Sequence, residues 1–504
     1  MSTHFTAEMP QAATEPSPTR LSPLGWLAIM GGALAVGILI FLSLNHHGPA
    51  HEVHPEAPPW WGLGILPFIG MLGCIAVLPL LPWTHHWWES NCNRLGVALG
   101  FSALTLVYYG VAFDLAKIPA VLEHAIIAEY IPFIVLLFCL YVISGGISLK
   151  GDLAARPLTN TTFLAVGALI ASFIGTTGAS MLLIRPLLQT NSERKHVIHT
   201  VIFFIFLVSN VGGTLLPIGD PPLFLGYLFG VPFLWTMGLW APWAVCCVIL
   251  LVIYFIWDSI AYKKETPADI LLDETQKQPL RLTGWVNLLI LGGVVACVAL
   301  VDPNKDIPGT TFRPFPFMRE LLMLGLVALS LWRTPKGVRA YNKFNYAAII
   351  EVAALFIGIF ITMQVAIEYL NARGADLGID KPWKFFWATG SLSSFLDNAP
   401  TYVVFFQTAK TLPEIPDAEM VQLGGRGVIN AAYLTAISLG AVFMGAMTYI
   451  GNGPNFMVKA IAEQTGLKMP SFFGYMFKYS LPILIPVFII IMLLFLLPCS
   501  PFKL

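Results

Sequence analysis

Charge is what this 504-residue chain has least of. Asp, Glu, Lys and Arg together make up 11% of it, against about a quarter in a soluble globular chain. Hydrophobic residues make up 57%. That balance excludes a soluble enzyme folded round one buried core. The 28 basic and 28 acidic residues cancel to a net charge of zero, so no basic surface for nucleic acid is expected. Cysteine is sparse. The seven (Cys74, Cys92, Cys139, Cys246, Cys247, Cys297 and Cys499) form no CxxC pair, and most lie in apolar runs. They read as small apolar residues, with no disulfide framework or zinc site. There is no P-loop and no large hydrophilic domain, which excludes an ATP-driven pump. No HExxH, no GxSxG in a fitting context and no paired aspartates on facing helices point to an intramembrane enzyme. The first residues lack the basic start, short apolar run and cleavage site of a signal peptide. Residues 1–21, rich in Pro, Thr and Ser, are expected to form a disordered polar tail.

What the chain does have is apolar runs, many near the ~20 residues that cross a hydrocarbon core as a helix. They fall at roughly 22–44, 61–82, 94–116, 126–148, 159–190, 197–225, 231–256, 285–301, 317–332, 346–371, 384–410, 429–457 and 471–498. The fold class expected is an all-α polytopic membrane protein. Two runs, 159–190 and 384–410, have polar or Gly/Pro-rich centres, "GTTGAS" and "LDNAPT". Two more, 197–225 and 429–457, are interrupted by "PIGDPP" and "YIGNGP".

These interruptions align with one another. "ASFIGTTGASMLLI" at 171–184 matches "SSFLDNAPTYVVFF" at 393–406, with Ser172-Phe173 on Ser394-Phe395. The same offset puts Glu129 on Glu351. "IGDPPLF" at 218–224 matches "IGNGPNF" at 450–456 after a further ten residues, which the longer loop "LPEIPDAEMVQLGGRG" accounts for. Ordered matches on Gly, Pro, Asp and Asn indicate a duplication. The expected organisation is a tail (1–21), an extra helix (22–44), a first repeat (61–256), a hydrophilic linker (257–284) and a second repeat (285–498).

Basic residues set the expected orientation, because cytoplasmic loops carry the excess of Lys and Arg. Linker 257–284 holds Lys263, Lys264, Lys277 and Arg281. Loop 333–345 holds Arg333, Lys336, Arg339 and Lys343, and loop 149–158 holds Lys150 and Arg156. With these loops inside, 159–190 enters and leaves from the cytoplasm as a re-entrant hairpin. The segment 384–410 does the same from outside, so the repeats are inverted. About eleven crossing helices, two hairpins and two broken helices result, with the N-terminus cytoplasmic and the C-terminus periplasmic.

Irregular backbone survives at membrane depth only inside protein or beside water. Inverted repeats with discontinuous helices meeting near the bilayer centre are a mark of secondary transporters. An intramembrane acid is a functional candidate by default, and Asp397 with Asn398 heads that group. Asp397 also has N-cap chemistry for the helix that follows. Thr401, and Thr176, Thr177 and Ser180 on the first hairpin, offer hydroxyl oxygens. At the breaks, Asp220 has Asn452 as its repeat partner, with Gly219 and Gly451 beside them. Glu129 and Glu351 are candidates for proton coupling, along with Asp397 and Asp220; as helix-start glutamates they also suit the helix dipole. Arg185 either snorkels to the surface or counters an anionic substrate, and its repeat partner is Gln407. His46, His47, His51 and His54 match no strong zinc spacing and read as a solvated loop.

The segments "EVAALFIGIFITM" (351–363), "SFLDNAPTYVVF" (394–405), "SNVGGTLLPIGDPP" (209–222) and "YIGNGPNF" (449–456) resemble the ion transporter superfamily over roughly residues 60–498. That superfamily includes NhaD-type sodium/proton antiporters, ArsB-type arsenite transporters and citrate or dicarboxylate carriers. The resemblance implies two inverted repeats, a substrate site between hairpin tips and helix breaks, an elevator-like shift of that unit, and dimers. Asp397-Asn398 matches the Asp-Asn pair of the NhaD-type branch. The dicarboxylate branch carries Ser-Asn-Thr at both tips, and this chain departs from it. The expected function is sodium/proton antiport in a bacterial inner membrane. Na⁺ would bind oxygen ligands at Asp397 and Asn398, and no resident cofactor is needed. The alternative is a cation-coupled carrier of citrate or another small carboxylate. The expected partners are membrane lipid and the transported solute, with no nucleic acid.

Overall fold

The computed structural model describes residues 61–275, 278–303, 306–307, 309–413, 419–497 and 500. The expected polar tail (1–21), the expected extra helix (22–44) and the histidine loop lie outside these residues. The rest is a helical membrane protein with two small antiparallel ribbons.

Among the described residues, six helices are long and apolar enough to cross a membrane: Asn91–Ala112, Lys117–Ser144, Pro157–Ile174, Trp235–Tyr262, Ala347–Leu377 and Phe472–Leu496. Shorter apolar helices cover Trp61–Val77, Ile198–Thr214, Val286–Leu300 and Ala431–Met447. Asn91–Ala112 and Trp235–Tyr262 expose apolar side chains such as Val107, Val111, Val248 and Val252, as helices do where lipid is the solvent. Ile198–Leu207 is the opposite case. Phe203, Phe204 and Phe206 are wholly buried, and every other residue of this helix except Ile198 is buried too. A helix that is apolar all round and enclosed by protein belongs at the centre. Ala431–Met444 is enclosed in the same way.

Each polar-centred run folds into two arms. The first hairpin comprises Pro157–Ile174 and Thr176–Thr190. Its tip is Gly175 at φ 79°, ψ 148°, a conformation that a residue with a Cβ rarely adopts. The second hairpin comprises Pro382–Phe395 and Asn398–Lys410. It turns without a glycine. Leu396 and Asp397 are extended, and the Asp397 carboxylate caps the second arm by accepting from the Ala399 N–H at 3.0 Å. Pro at the first positions of both leading arms (Pro157, Pro382) fits the N-terminal asymmetry of helices.

The broken helices restart alike. Asp220 is extended (φ −145°, ψ 143°) before Pro221–Leu228, and Asn452 is extended (φ −152°, ψ 139°) before Gly453–Gln464. Side chains satisfy the backbone groups freed at each break. Ser172 donates to the Gly212 carbonyl at 2.5 Å, and Ser394 donates to the Met444 carbonyl at 3.2 Å. Asn455 donates to the carbonyls of Gly445 and Thr448 at 2.8 and 2.9 Å. The two serines are the positions that the sequence aligned, so corresponding residues of the two halves perform the same repair.

The linker is more ordered than its hydrophilic composition suggested. The helix Trp240–Tyr262 runs into it, Pro267–Thr275 forms a further helix, and Gln278–Thr283 is a strand. That strand pairs with Ser148–Asp152, the segment leading into the first hairpin. The helix continues because Asp258 has buried polar partners. Arg194 donates to its carboxylate at 2.6 and 3.2 Å, His199 bonds it at 2.9 Å and Asn160 at 3.3 Å. Glu265 then accepts the N–H groups of Lys195 and His196 at 3.1 and 2.9 Å. These bonds tie the foot of the first hairpin to the linker.

Candidate functional site

Both hairpin tips and both helix breaks converge on Asp220. It is 1% exposed. Its carboxylate accepts from the Thr176 hydroxyl at 2.9 Å, the Asn398 amide at 2.7 Å and the Asn452 amide at 3.0 Å. Thr176 opens the returning arm of the first hairpin, and Asn398 opens that of the second. Asp220 and Asn452 close the two breaks. Donors from three separate elements therefore meet the fourth at one carboxylate, a charge-assisted arrangement walled off from lipid.

A second layer crosslinks the breaks. Asn452 also donates to the Ser209 carbonyl at 3.1 Å and to Asn210 Oδ1 at 3.3 Å. Asn210 donates to Asn455 Oδ1 at 2.7 Å and to the Ile205 carbonyl at 2.8 Å. Ser180 and Ser209 share a 2.8 Å hydroxyl bond. The sequence reading did not single out Ser209, Asn210 and Asn455. The signal was present, because all three lie within or beside the two break motifs.

Gly219 and Gly451 let the chain pass close to itself. A Cβ on Gly219 would stand 2.2 Å from the Gly213 carbonyl oxygen. One on Gly451 would stand 2.6 Å from that of Gly445. A side chain at either position would force these strands of backbone apart and move the residue that follows, Asp220 or Asn452.

Asp397 is half-buried beside this centre. One of its oxygens caps Ala399, and it is the charged group that acts on Asp220. Among the described residues, no lysine or arginine is a hydrogen-bond partner of either aspartate. The Asn398 Oδ1 is buried and has no hydrogen-bond partner among the described residues. Oxygens of this kind, from carboxylates and an amide, suit a hard cation. Thr401 donates back to the Asp397 carbonyl at 3.0 Å rather than to Asp220. Thr177 is partly exposed and is not among the donors to Asp220.

Glu129 and Glu351 are not bonded to this cluster. Glu129 is 3% exposed and lies in the π-helical stretch Glu123–Tyr130. Its Oε2 accepts from the Gln364 amide at 2.8 Å, while His124 Nδ1 stands 3.6 Å from Oε1 and 3.2 Å from Gln364 Oε1. Glu351 instead pairs with Arg94 at 3.0 Å. The repeat-related glutamates therefore have unlike surroundings. Arg185 sits low on the returning arm of the first hairpin, with Tyr341 and Tyr141 beside it.

Residues 56–496 match the family model described as "Putative citrate transport". The match covers most of the chain, which therefore belongs to this family, a citrate-transporter-like branch of the ion transporter superfamily. No curated protein matches the chain. Family and apolar helices together make it an integral membrane protein of transport.

Proposed function

We propose that this chain is a sodium/proton antiporter in which the two ions compete at Asp220 and Asp397. One observation carries the reading: a buried carboxylate joins both hairpin tips and both helix breaks, a second carboxylate stands next to it, and among the described residues no basic side chain bonds to either. Burying unpaired negative charge is costly. A Na⁺ bound through the aspartates and Asn398 Oδ1 would offset that cost, and so would a proton. The two ligands exclude each other at one carboxylate, so a gradient of one drives the other with no ATP. Because the donors to Asp220 come from separate elements, loading the site also changes what holds the hairpins together. That couples occupancy to movement of the unit.

The second reading is cation-coupled citrate transport, favoured by the family's description. There the same carboxylates hold the coupling cation. The citrate anion binds the free N–H groups where hairpin arms begin, screened by the cation from Asp397.

The test is proton movement in vesicles containing purified protein, under an imposed pH gradient, with pulses of Na⁺, Li⁺, K⁺ or citrate. Proton flux on adding Na⁺ or Li⁺, lost in Asp220→Asn and Asp397→Asn, supports antiport. Silence to cations, with uptake of labelled citrate when Na⁺ or H⁺ is supplied, replaces it with the second reading.

A further inference from the structure

We propose that His124 and Glu129 form a proton relay, in which the exposed imidazole takes a proton from water at Nε2 and passes its Nδ1 proton to the buried Glu129 carboxylate. This rests on the reading that protons are among the transported ions. It adds a route for them that the Asp220 centre does not contain.

The relay begins with a local departure from the α-helix. Glu123–Tyr130 is π-helical, and the Ile131 N–H bonds the carbonyl of Ile126, five residues back. In an α-helix, side chains five apart point about 140° away from each other. Bonds from i to i+5 widen the turn and bring residue 129 back over residue 124. His124 Nδ1 accordingly stands 3.6 Å from Glu129 Oε1. The two ends of that contact are unlike: the His124 side chain is 57% exposed, and that of Glu129 is buried. Glu123 and Arg426 are the charged neighbours of His124. Charge of both signs beside it sets the open edge of the ring at water rather than lipid.

Gln364, on the helix Ala347–Arg373, fixes where the hydrogens are. Its Nε2 donates to Glu129 Oε2 at 2.8 Å and to the Phe360 carbonyl at 3.1 Å. Both of those acceptors need an N–H, so Oε1 is the amide atom that faces His124 Nδ1, at 3.2 Å. An oxygen there requires Nδ1 to carry hydrogen, which leaves the lone pair of a neutral ring on Nε2. Glu129 Oε1 is buried and has no hydrogen-bond partner among the described residues. A donor and an unsatisfied buried acceptor therefore face each other, about half an ångström beyond hydrogen-bond range. A small swing of the half-free ring closes that gap.

The step balances within the pair. Water protonates Nε2 and gives imidazolium. The Nδ1–H bond breaks, an O–H bond forms at Glu129 Oε1, and the ring is left neutral with hydrogen on Nε2. The new carboxyl O–H donates back to the bare Nδ1. A swing of the ring into water then restores the starting tautomer.

Other charged groups stand around the pair without closing it. Arg426 acts on both residues and donates to the Leu228 carbonyl at 2.6 Å. Lys410 of the second hairpin faces Arg426, Glu368 faces Tyr108 and Tyr109, and Lys117 lies over the Phe113 ring at 4.5 Å. The second repeat has no such pair. Tyr346 stands at the position aligned with His124, Ala347–Arg373 is α-helical, and Glu351 is taken by Arg94. One turn beyond Glu129, Phe133 stands 6.4 Å from Phe224, which lies one turn beyond Asp220. The relay and the ion centre are thus on elements that touch.

The test follows Na⁺-driven proton flux in vesicles and, separately, the infrared band of the protonated Glu129 carboxyl after a pH jump. Glu129→Gln identifies the band by removing it. His124→Ala should slow both signals about a hundredfold at neutral pH, and free imidazole in the buffer should restore both. His124→Gln still donates to Gln364 and cannot relay. It should show the same loss with an unchanged Tm, which separates the relay from a folding defect. In Glu129→Gln, imidazole should restore nothing. Wild-type rates in the two His124 variants would overturn the relay with antiport intact, and so would a loss in His124→Ala that imidazole does not restore. If the wild type shows no Na⁺-driven flux, the antiport reading fails and the infrared band decides the relay alone. A band absent at every pH, or one that forms as fast without His124, would then overturn it.

Discussion

Asp220 and Asn398 are 178 residues apart in the chain, yet their side chains meet in a 2.7 Å bond that closes the second hairpin onto the first broken helix. The bond makes one carboxylate answer to both halves of the protein. Its consequences can be tested separately from transport.

Asp220→Leu removes the acceptor of three buried donors, Thr176, Asn398 and Asn452. Each stranded donor costs about 1–3 kcal/mol, so Tm should fall clearly. Asp220→Asn keeps the shape and should lower Tm less while still removing ion-coupled flux. Similar flux in wild type and Asp220→Asn would take Asp220 out of the ion site.

The glycine before Asp220 is a steric requirement. In Gly219→Ala the new Cβ would stand 2.2 Å from the Gly213 carbonyl oxygen, and backbone must shift to relieve it. Overpacking of this kind costs about 1–3 kcal/mol. It also displaces the carboxylate, so flux should fall with Tm. Gly425→Ala, where no atom lies within 4 Å but φ is positive, should alter stability slightly and leave flux intact.

The foot of the first hairpin rests on Arg194 and Asp258, both buried and joined at 2.6 Å. Arg194→Ala leaves Asp258 with His199 and Asn160 as remaining partners. Breaking a buried pair from one side costs about 3–5 kcal/mol. Denaturant or thermal unfolding in detergent should show a loss on that scale, and a change below 1 kcal/mol would mean that water replaces the guanidinium.

The ribbon should make stability depend on pH. Burial first, then the charges of Glu193 and Asp273, raise the Asp152 carboxyl to about 6, above the ordinary value near 4. A carboxyl raised in the folded state favours folding when it is protonated. Its contribution is full below about pH 4 and is lost as pH rises through about 6. Asp152→Asn should flatten Tm over that interval. An unchanged pH profile would show that Asp152 titrates as if unfolded.

Glu129 offers a test of proton handling away from the centre. Its bond from Gln364 at 2.8 Å and the nearby His124 form a polar cluster at a π-helical stretch, a geometry frequent at functional sites. Glu129→Gln keeps the bonding shape. It should leave Na⁺ binding unchanged and shift the pH profile of flux. A wild-type profile would make the cluster purely structural.

Much of this was legible because the signals are local. The length of apolar runs fixes which segments suit lipid. Gly175, the Asp397 cap and the Asp220-Pro221 restart are decided by backbone preferences within a few residues. Serines aligned across the repeats turned out to repair the same kind of break. The pairing of Ser148–Asp152 with Gln278–Thr283 was not legible, because neither short segment carries a strand pattern strong enough to name its partner. The linker's order was hidden for a similar reason: a hydrophilic composition does not show that Arg194 and His199 meet Asp258, or that two backbone N–H groups meet Glu265.

The sequence by itself determined a membrane protein with two tipped hairpins, two broken helices and a short roster of polar residues at those four places. Tertiary structure alone decided how the roster is arranged. Asp220 became the hub, while Asp397 stands beside it as a cap. Thr401 turned back on its own helix, and Glu129 and Glu351 fell into unlike surroundings. Local preferences set where a chain bends. Which side chains then meet depends on contacts between elements 40 to 240 residues apart, and those follow from how whole helices pack.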